Sequence, residues 1–90
     1  MSYGIEVSHR ADKMLGRMDR KTATRIRDRI DELAIEPFNP RIADELEMSK
    51  GQWYSRGGDW RIVYEVREAD QTVFVVTVQH RSKVYKEMPK

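Results

Sequence analysis

The stretch "YSRGGDWRIVYEV", residues 54–66, constrains the fold more than any other part of the chain. Two glycines sit between runs of aromatic and β-branched residues. Such runs favour extended backbone, and paired glycines accept the positive φ of a tight hairpin turn. A second run, "TVFVVTVQH", follows after a polar interval at 68–71. Strands are expected at about 52–56, 60–67 and 72–81, with Gly57-Gly58 as the first turn and Ala69-Asp70-Gln71 in the second. An antiparallel meander is the simplest result.

The first forty residues follow another period. "YGIEV" (3–7) alternates and reads as a short first strand. Ser8 can then cap a helix whose apolar stripe is Ala11, Met14, Leu15 and Met18. Asp19 can cap a second helix with Ala23, Ile26, Ile30 and Leu33 inward, stopping near Ala34 to Glu36 because Pro37 cannot continue it. Helices joined so closely form an antiparallel hairpin. Residues 37–51 hold two prolines and no clean period, so they read as a connecting loop with Leu46 tacked to the core. The order β-α-α-β-β-β predicts one α+β domain over 1–90, a helical hairpin on one face of a small antiparallel sheet.

Composition excludes several classes of function. The chain has 90 residues and no cysteine, which rules out disulfides and thiolate metal sites. His9 and His80 stand far apart with no carboxylates at ligand spacing, so no metal is expected. No apolar run suits a membrane span or a signal segment, so a cytoplasmic location without membrane contact is expected. The net charge of +2 conceals segregation: residues 10–29 carry eight Lys/Arg against three acids, and residues 31–47 carry six acids against Arg41. The basic face (Arg17, Arg20, Lys21, Arg25, Arg27, Arg29) suits either solvent or a nucleic-acid backbone.

Alternation then sorts the arginines. Trp60, Ile62, Tyr64 and Val66 share one face of their strand, and Arg61, Val63, Glu65 and Arg67 the other. In the last strand, Phe74, Val76 and Val78 are expected inward, with Val73, Val75, Thr77, Gln79 and Arg81 on the opposite face. Matching the apolar faces puts Ile62 by Val78, Tyr64 by Val76 and Arg61 by Gln79. A Gly57-Gly58 turn sets Arg56 opposite Asp59 and Tyr54 opposite Arg61. Gln52, Tyr54, Arg56, Arg61 and Arg81 then share the face away from the helices, while Trp53 turns toward them. Such arginines can lie along Val63 and Val75, with Glu65 pairing Arg56 or Arg61. Alternatively they form a phosphate site, because guanidinium forks make bidentate, charge-assisted bonds. His80 falls on the face opposite Arg81, which favours a structural role.

"GGDWRIVYEV" followed by "VTVQHRSKVYKE" resembles the signature of the RelE/ParE toxin superfamily, and its RelE branch most. The matching positions are Gly58, Asp59, Trp60, Arg61, Ile62, Val63 and Tyr64, then His80, Arg81, Val84 and Tyr85. The resemblance implies a toxin of a type II toxin–antitoxin pair: a ribosome-dependent mRNA endonuclease that needs no cofactor. Arg61, Arg81 and Tyr85 match catalytic positions. Arg56 matches an RNA-holding residue, and Tyr54, Gln52 and Lys83 fall to RNA binding. The implied partners are an acidic, RelB-like antitoxin, the ribosome with its mRNA, and operator DNA through the antitoxin complex. One departure stands out. Members usually carry basic residues, one of them thought to be the general base, where this chain has Gln52 and Tyr54. The same resemblance implies two alternatives: a ParE-like toxin that binds DNA gyrase without nuclease chemistry, or a weakened toxin that mainly binds its antitoxin.

Overall fold

The computed structural model describes residues 2–46 and 51–81. Its elements are β1 (Gly4–Val7), α1 (His9–Arg17), α2 (Arg20–Ile35), β2 (Asp44–Glu45), β3 (Gln52–Gly57), β4 (Trp60–Arg67) and β5 (Thr72–His80). The helical hairpin covers one face of a five-stranded sheet ordered β1-β5-β4-β3-β2. No helix among the described residues is long and apolar enough to cross a membrane.

Both helices start where their capping residues stand. The Ser8 hydroxyl accepts the Ala11 N–H at 3.0 Å, and the Asp19 carboxylate accepts the Thr22 N–H at 3.1 Å and its hydroxyl at 2.7 Å. Those bonds, the Thr22 hydroxyl first, hold the Asp19 carboxyl below its ordinary pKa. Helix α2 ends at Ile35, and Pro37 follows two residues later. Ala11, Leu15, Ile26, Ile30 and Leu33 from the helices meet Ile62, Tyr64, Val73, Val75 and Val78 from the sheet in one core. At the centre of that sheet Tyr64 is fully buried, and its hydroxyl donates to the Pro37 carbonyl at 2.6 Å. This bond ties the chain after α2 across the sheet, and burial, with a lesser contribution from Asp44, raises the Tyr64 pKa well above the usual tyrosine value.

The sheet is mixed rather than wholly antiparallel. Strand β1 lies parallel to β5, Gly4 against Thr72 through Val7 against Val75. Parallel pairs need a long crossover connection, and the intervening helices and strands supply one. Part of the expected 37–51 loop is the short edge strand β2, with Asp44 opposite Tyr54 and Glu45 opposite Trp53. The Leu46 N–H donates to the Gln52 carbonyl at 2.9 Å.

Two registers differ from the alternation argument. The β3–β4 turn is Gly58-Asp59, not Gly57-Gly58, so Arg56 faces Arg61, Tyr54 faces Val63 and Gly57 faces Trp60. Only Gly58 of these has a left-handed φ, +64°, as a II′ turn requires at its first central position. The second difference is an irregularity between Val63 and Tyr64. Val63 pairs Thr77, but Tyr64 pairs Val75, which leaves Val76 as the extra residue of a β-bulge. The bulge reverses facing in the first half of β5. Val73 and Val75 enter the core with Val78, while Phe74 joins Glu65 on the other face.

Candidate functional site

The face of the sheet away from the helices carries the predicted residues. The β3–β4 register keeps Gln52, Tyr54 and Arg56 on the face of Arg61, Val63 and Glu65. Strand β5 adds Thr77 opposite Val63 and Gln79 opposite Arg61. Arg81 follows at the same end: its N–H donates to the Asp59 carbonyl at 2.8 Å, and its Nη1 stands 3.9 Å from Asp59 Oδ1. The hairpin turn thus holds the chain at Arg81 next to the Arg56–Arg61 pair. Tyr85 and Lys83 lie outside the described residues.

Each remaining predicted residue has an identifiable neighbour. The Arg61 guanidinium lies over the Tyr54 ring, 4.3 Å from its centroid, a cation–π arrangement that directs it along the sheet. Gln52 Nε2 donates to Glu65 Oε2 at 3.1 Å, so Glu65 pairs with neither Arg56 nor Arg61. Arg56 is exposed opposite Arg61. The Arg stems do not lie along Val75, which the bulge turns into the core.

The bulge also brings in residues that alternation assigned elsewhere. Phe74, expected inward, lies on this face beneath Arg67, whose guanidinium is 4.3 Å from the ring centroid. Arg67 also stands 3.9 Å from Glu6 on β1. No feature of the local sequence announces the bulge, although the string of valines at 73, 75, 76 and 78 permits either facing. His80 is opposite Trp60, and its ring meets the indole edge-on at 5.1 Å. Among the described residues no group of three or more His, Cys, Asp or Glu stands close enough to hold a metal ion.

The basic helix face is divided by depth. Arg29 reaches under β3, where Nη1 donates to the buried Ser55 hydroxyl at 3.2 Å and Nε stands 3.6 Å from Glu32. Arg25 extends to the hairpin turn, within 3.0 Å of where a Gly58 side chain would begin. Arg17, Arg20, Lys21 and Arg27 are exposed.

Residues 5–85 match the family model for the ParE toxin of the type II toxin–antitoxin system, parDE. No individually curated protein matches the chain. Several solved structures share its fold. A chain of the archaeal RelE–RelB complex from Pyrococcus horikoshii has a TM-score of 0.77 at 22% identity, covering 92% of this chain and 99% of that one. The isolated E. coli RelE toxin has a TM-score of 0.76 at 22% identity, covering 96% and 94%. The YoeB/ParE toxin of Agrobacterium tumefaciens has a TM-score of 0.74 at 20% identity, covering 86% and 96%. At these identities the structural likeness establishes the α+β fold.

Proposed function

The chain belongs to the ParE toxin family of type II toxin–antitoxin systems, within the RelE/ParE superfamily, and we propose that it acts as a ribosome-dependent mRNA endonuclease. The observation that carries this reading is the strand register, which brings three arginine positions to one end of one sheet face. Arg56 stands directly opposite Arg61, and the hairpin turn holds the backbone of Arg81 beside them. Like charges directly opposite each other are destabilising, a cost that a bound anion relieves, and phosphate fits the planar fork of arginine.

In this reading the ribose 2′-hydroxyl attacks the adjacent phosphate and the 5′-oxygen leaves. Arg61 and Arg81 stabilise the charge that builds on the phosphoryl oxygens, the task for which preorganised donors contribute most. Arg56 holds the RNA backbone. Tyr54 sets the direction of Arg61 through the ring contact, and Gln52 and Lys83 are assigned to RNA binding. Tyr85 stacks on a splayed base or shares in proton transfer. Reaction in the ribosome would supply the mRNA in a fixed geometry.

An acidic, RelB-like antitoxin is the proposed protein partner, reaching operator DNA as part of the complex. Solved RelE–RelB complexes from P. horikoshii and E. coli support such a partner, as does the exposed basic surface of α1 and α2. The match to the ParE toxin family model also favours a second reading, the gyrase-binding toxin without nuclease chemistry that the resemblance implies. A weakened toxin that only binds its antitoxin would carry the same fold.

Tightly controlled expression followed by mapping of mRNA 5′ ends separates these readings. New ends inside translated codons are expected, reduced about 100- to 1000-fold in Arg61→Ala and Arg81→Ala, as for loss of one charge-stabilising donor. Growth arrest with inhibited supercoiling and intact mRNA would refute the nuclease reading in favour of gyrase. Normal growth would leave only antitoxin binding.

A further inference from the structure

Arginine cannot take a proton at neutral pH, so the cleavage proposed above needs another group to deprotonate the 2′-hydroxyl. The strand residues described on the open face offer few. Tyr54 has its ring face taken up by the Arg61 guanidinium, 4.3 Å from the centroid. Asp59 and Glu6 stand at opposite rims, each 3.9 Å from its own arginine, Arg81 and Arg67. Asp44 is exposed on the edge strand. Glu65 differs from all of these. It is half-buried on the central strand β4, and Gln52 fixes its carboxylate through Oε2 at 3.1 Å.

Its distance from the arginines suits the task. Glu65 is four residues along β4 from Arg61, roughly 13 Å between α-carbons at about 3.4 Å per residue. Arg61 leans over the Tyr54 ring, and Tyr54 is opposite Val63, midway along that interval. The guanidinium therefore covers about half of the gap, leaving on the order of one nucleotide unit between it and the Glu65 side chain.

We propose that Glu65, oriented by Gln52, is the catalytic group that accepts the 2′-hydroxyl proton. This inference rests on the nuclease reading. The proton passes to the Glu65 carboxylate as the 2′-oxygen bonds to phosphorus. The bond from phosphorus to the 5′-oxygen breaks, its electron pair stays on that oxygen, and water supplies the proton the leaving group takes. A 2′,3′-cyclic phosphate and a 5′-hydroxyl end result.

Single-turnover cleavage of mRNA on programmed ribosomes tests the role. Glu65→Gln keeps the shape and leaves Gln52 a hydrogen-bond partner. It is expected to slow cleavage about 100- to 10,000-fold, the usual range for loss of a general base. Arg61 and Arg67 on β4, Tyr54 on β3, Asp44 on β2 and Glu6 on β1 are the charged or titratable groups nearest to Glu65 on this face, and the substitution leaves them all in place. Glu65→Asp, which keeps a carboxylate at this position, should recover part of the rate. A wild type that cleaves, an Arg81→Ala variant that does not, and a Glu65→Gln variant within threefold of wild type would overturn the Glu65 assignment alone. A wild type that produces no ends would overturn both it and the nuclease reading.

Discussion

Ser8 joins two features that are 68 residues apart, and removing its hydroxyl should weaken both. The oxygen accepts the Ala11 N–H at the start of α1 and donates to the Val76 carbonyl at the bulge, at 3.0 and 2.6 Å. The Ser8 N–H also donates to the Val75 carbonyl at 2.9 Å, so the main chain already brings Ser8 to the bulge. Ser8→Ala loses the cap, about 1 kcal/mol, and leaves a part-buried acceptor without its donor, about 1 kcal/mol more. The sum of about 2 kcal/mol corresponds to a fall in Tm of roughly 8–16 °C for a domain of this size. Urea unfolding followed by the fluorescence of Trp53 and Trp60 reads the change as a lower midpoint at constant slope. Ser8→Thr, which keeps both bonds, should stay within about 0.5 kcal/mol of wild type, the ordinary range for a substitution that disturbs nothing. Ser8→Asp keeps an acceptor for the cap but cannot donate to Val76, so it should remain destabilised and should speed amide exchange at Val75 to Thr77. Ser8→Ala as stable as wild type, or Ser8→Thr as damaging as Ser8→Ala, would refute the coupling.

Tyr64→Phe should cost about 1–3 kcal/mol, because the Pro37 carbonyl then loses its buried donor; urea midpoints check this. The raised Tyr64 pKa means that the folded state keeps the phenol proton more tightly than the unfolded chain. Its contribution is therefore complete below about pH 10, the unfolded tyrosine value, and is lost as pH rises above it; alkaline melts should show this loss in wild type and a smaller one in Tyr64→Phe. Gly58→Ala should cost about 1–2 kcal/mol for the left-handed conformation, while the nearby Arg25 guanidinium, the end of a flexible side chain, can yield. A thermal melt equal to wild type would show that the turn rearranges instead.

Local chemistry was legible in the sequence, and long-range register was legible only in part. Ser8 and Asp19 cap the helices they precede, and the stripes through Leu15 and through Ile26, Ile30 and Leu33 enter the core as their spacing requires. The turn was misplaced by one residue, yet the face survived. Moving both ends of a two-residue turn one step along the chain changes each strand partner by two, and a shift of two preserves facing. Arg56 and Arg61 therefore remain on one side, now directly opposite. The bulge at Val76 has the contrary effect because it adds a residue to one strand only. Val73 and Val75 exchange sides with Phe74, and no period in the β5 sequence reveals that exchange. The anchor that specifies it, Ser8, lies at the other end of the chain. The parallel pairing of β1 is hidden for the same reason, as its partner is the last strand rather than a neighbour in sequence.

The arginines show why charge alone does not identify a site. Arg29 is held under β3 with its Nε buried and its Nη1 bonded to Ser55. A phosphate could reach it only by opening contacts that the fold uses. Arg81 and Asp59 stand 3.9 Å apart with side chains 65% and 69% exposed, a pair of the kind that contributes little to stability. Arg61 rests on an aromatic face that constrains its direction without taking up its five N–H donors. A phosphate arriving at this end of the sheet would displace weak partners and gain charge-assisted ones. The backbone register sets where these guanidinium groups begin, and the exposed Asp59 pair and the Tyr54 ring contact can yield to a stronger anionic partner. That combination separates Arg61 and Arg81 from Arg29, which composition alone treats alike.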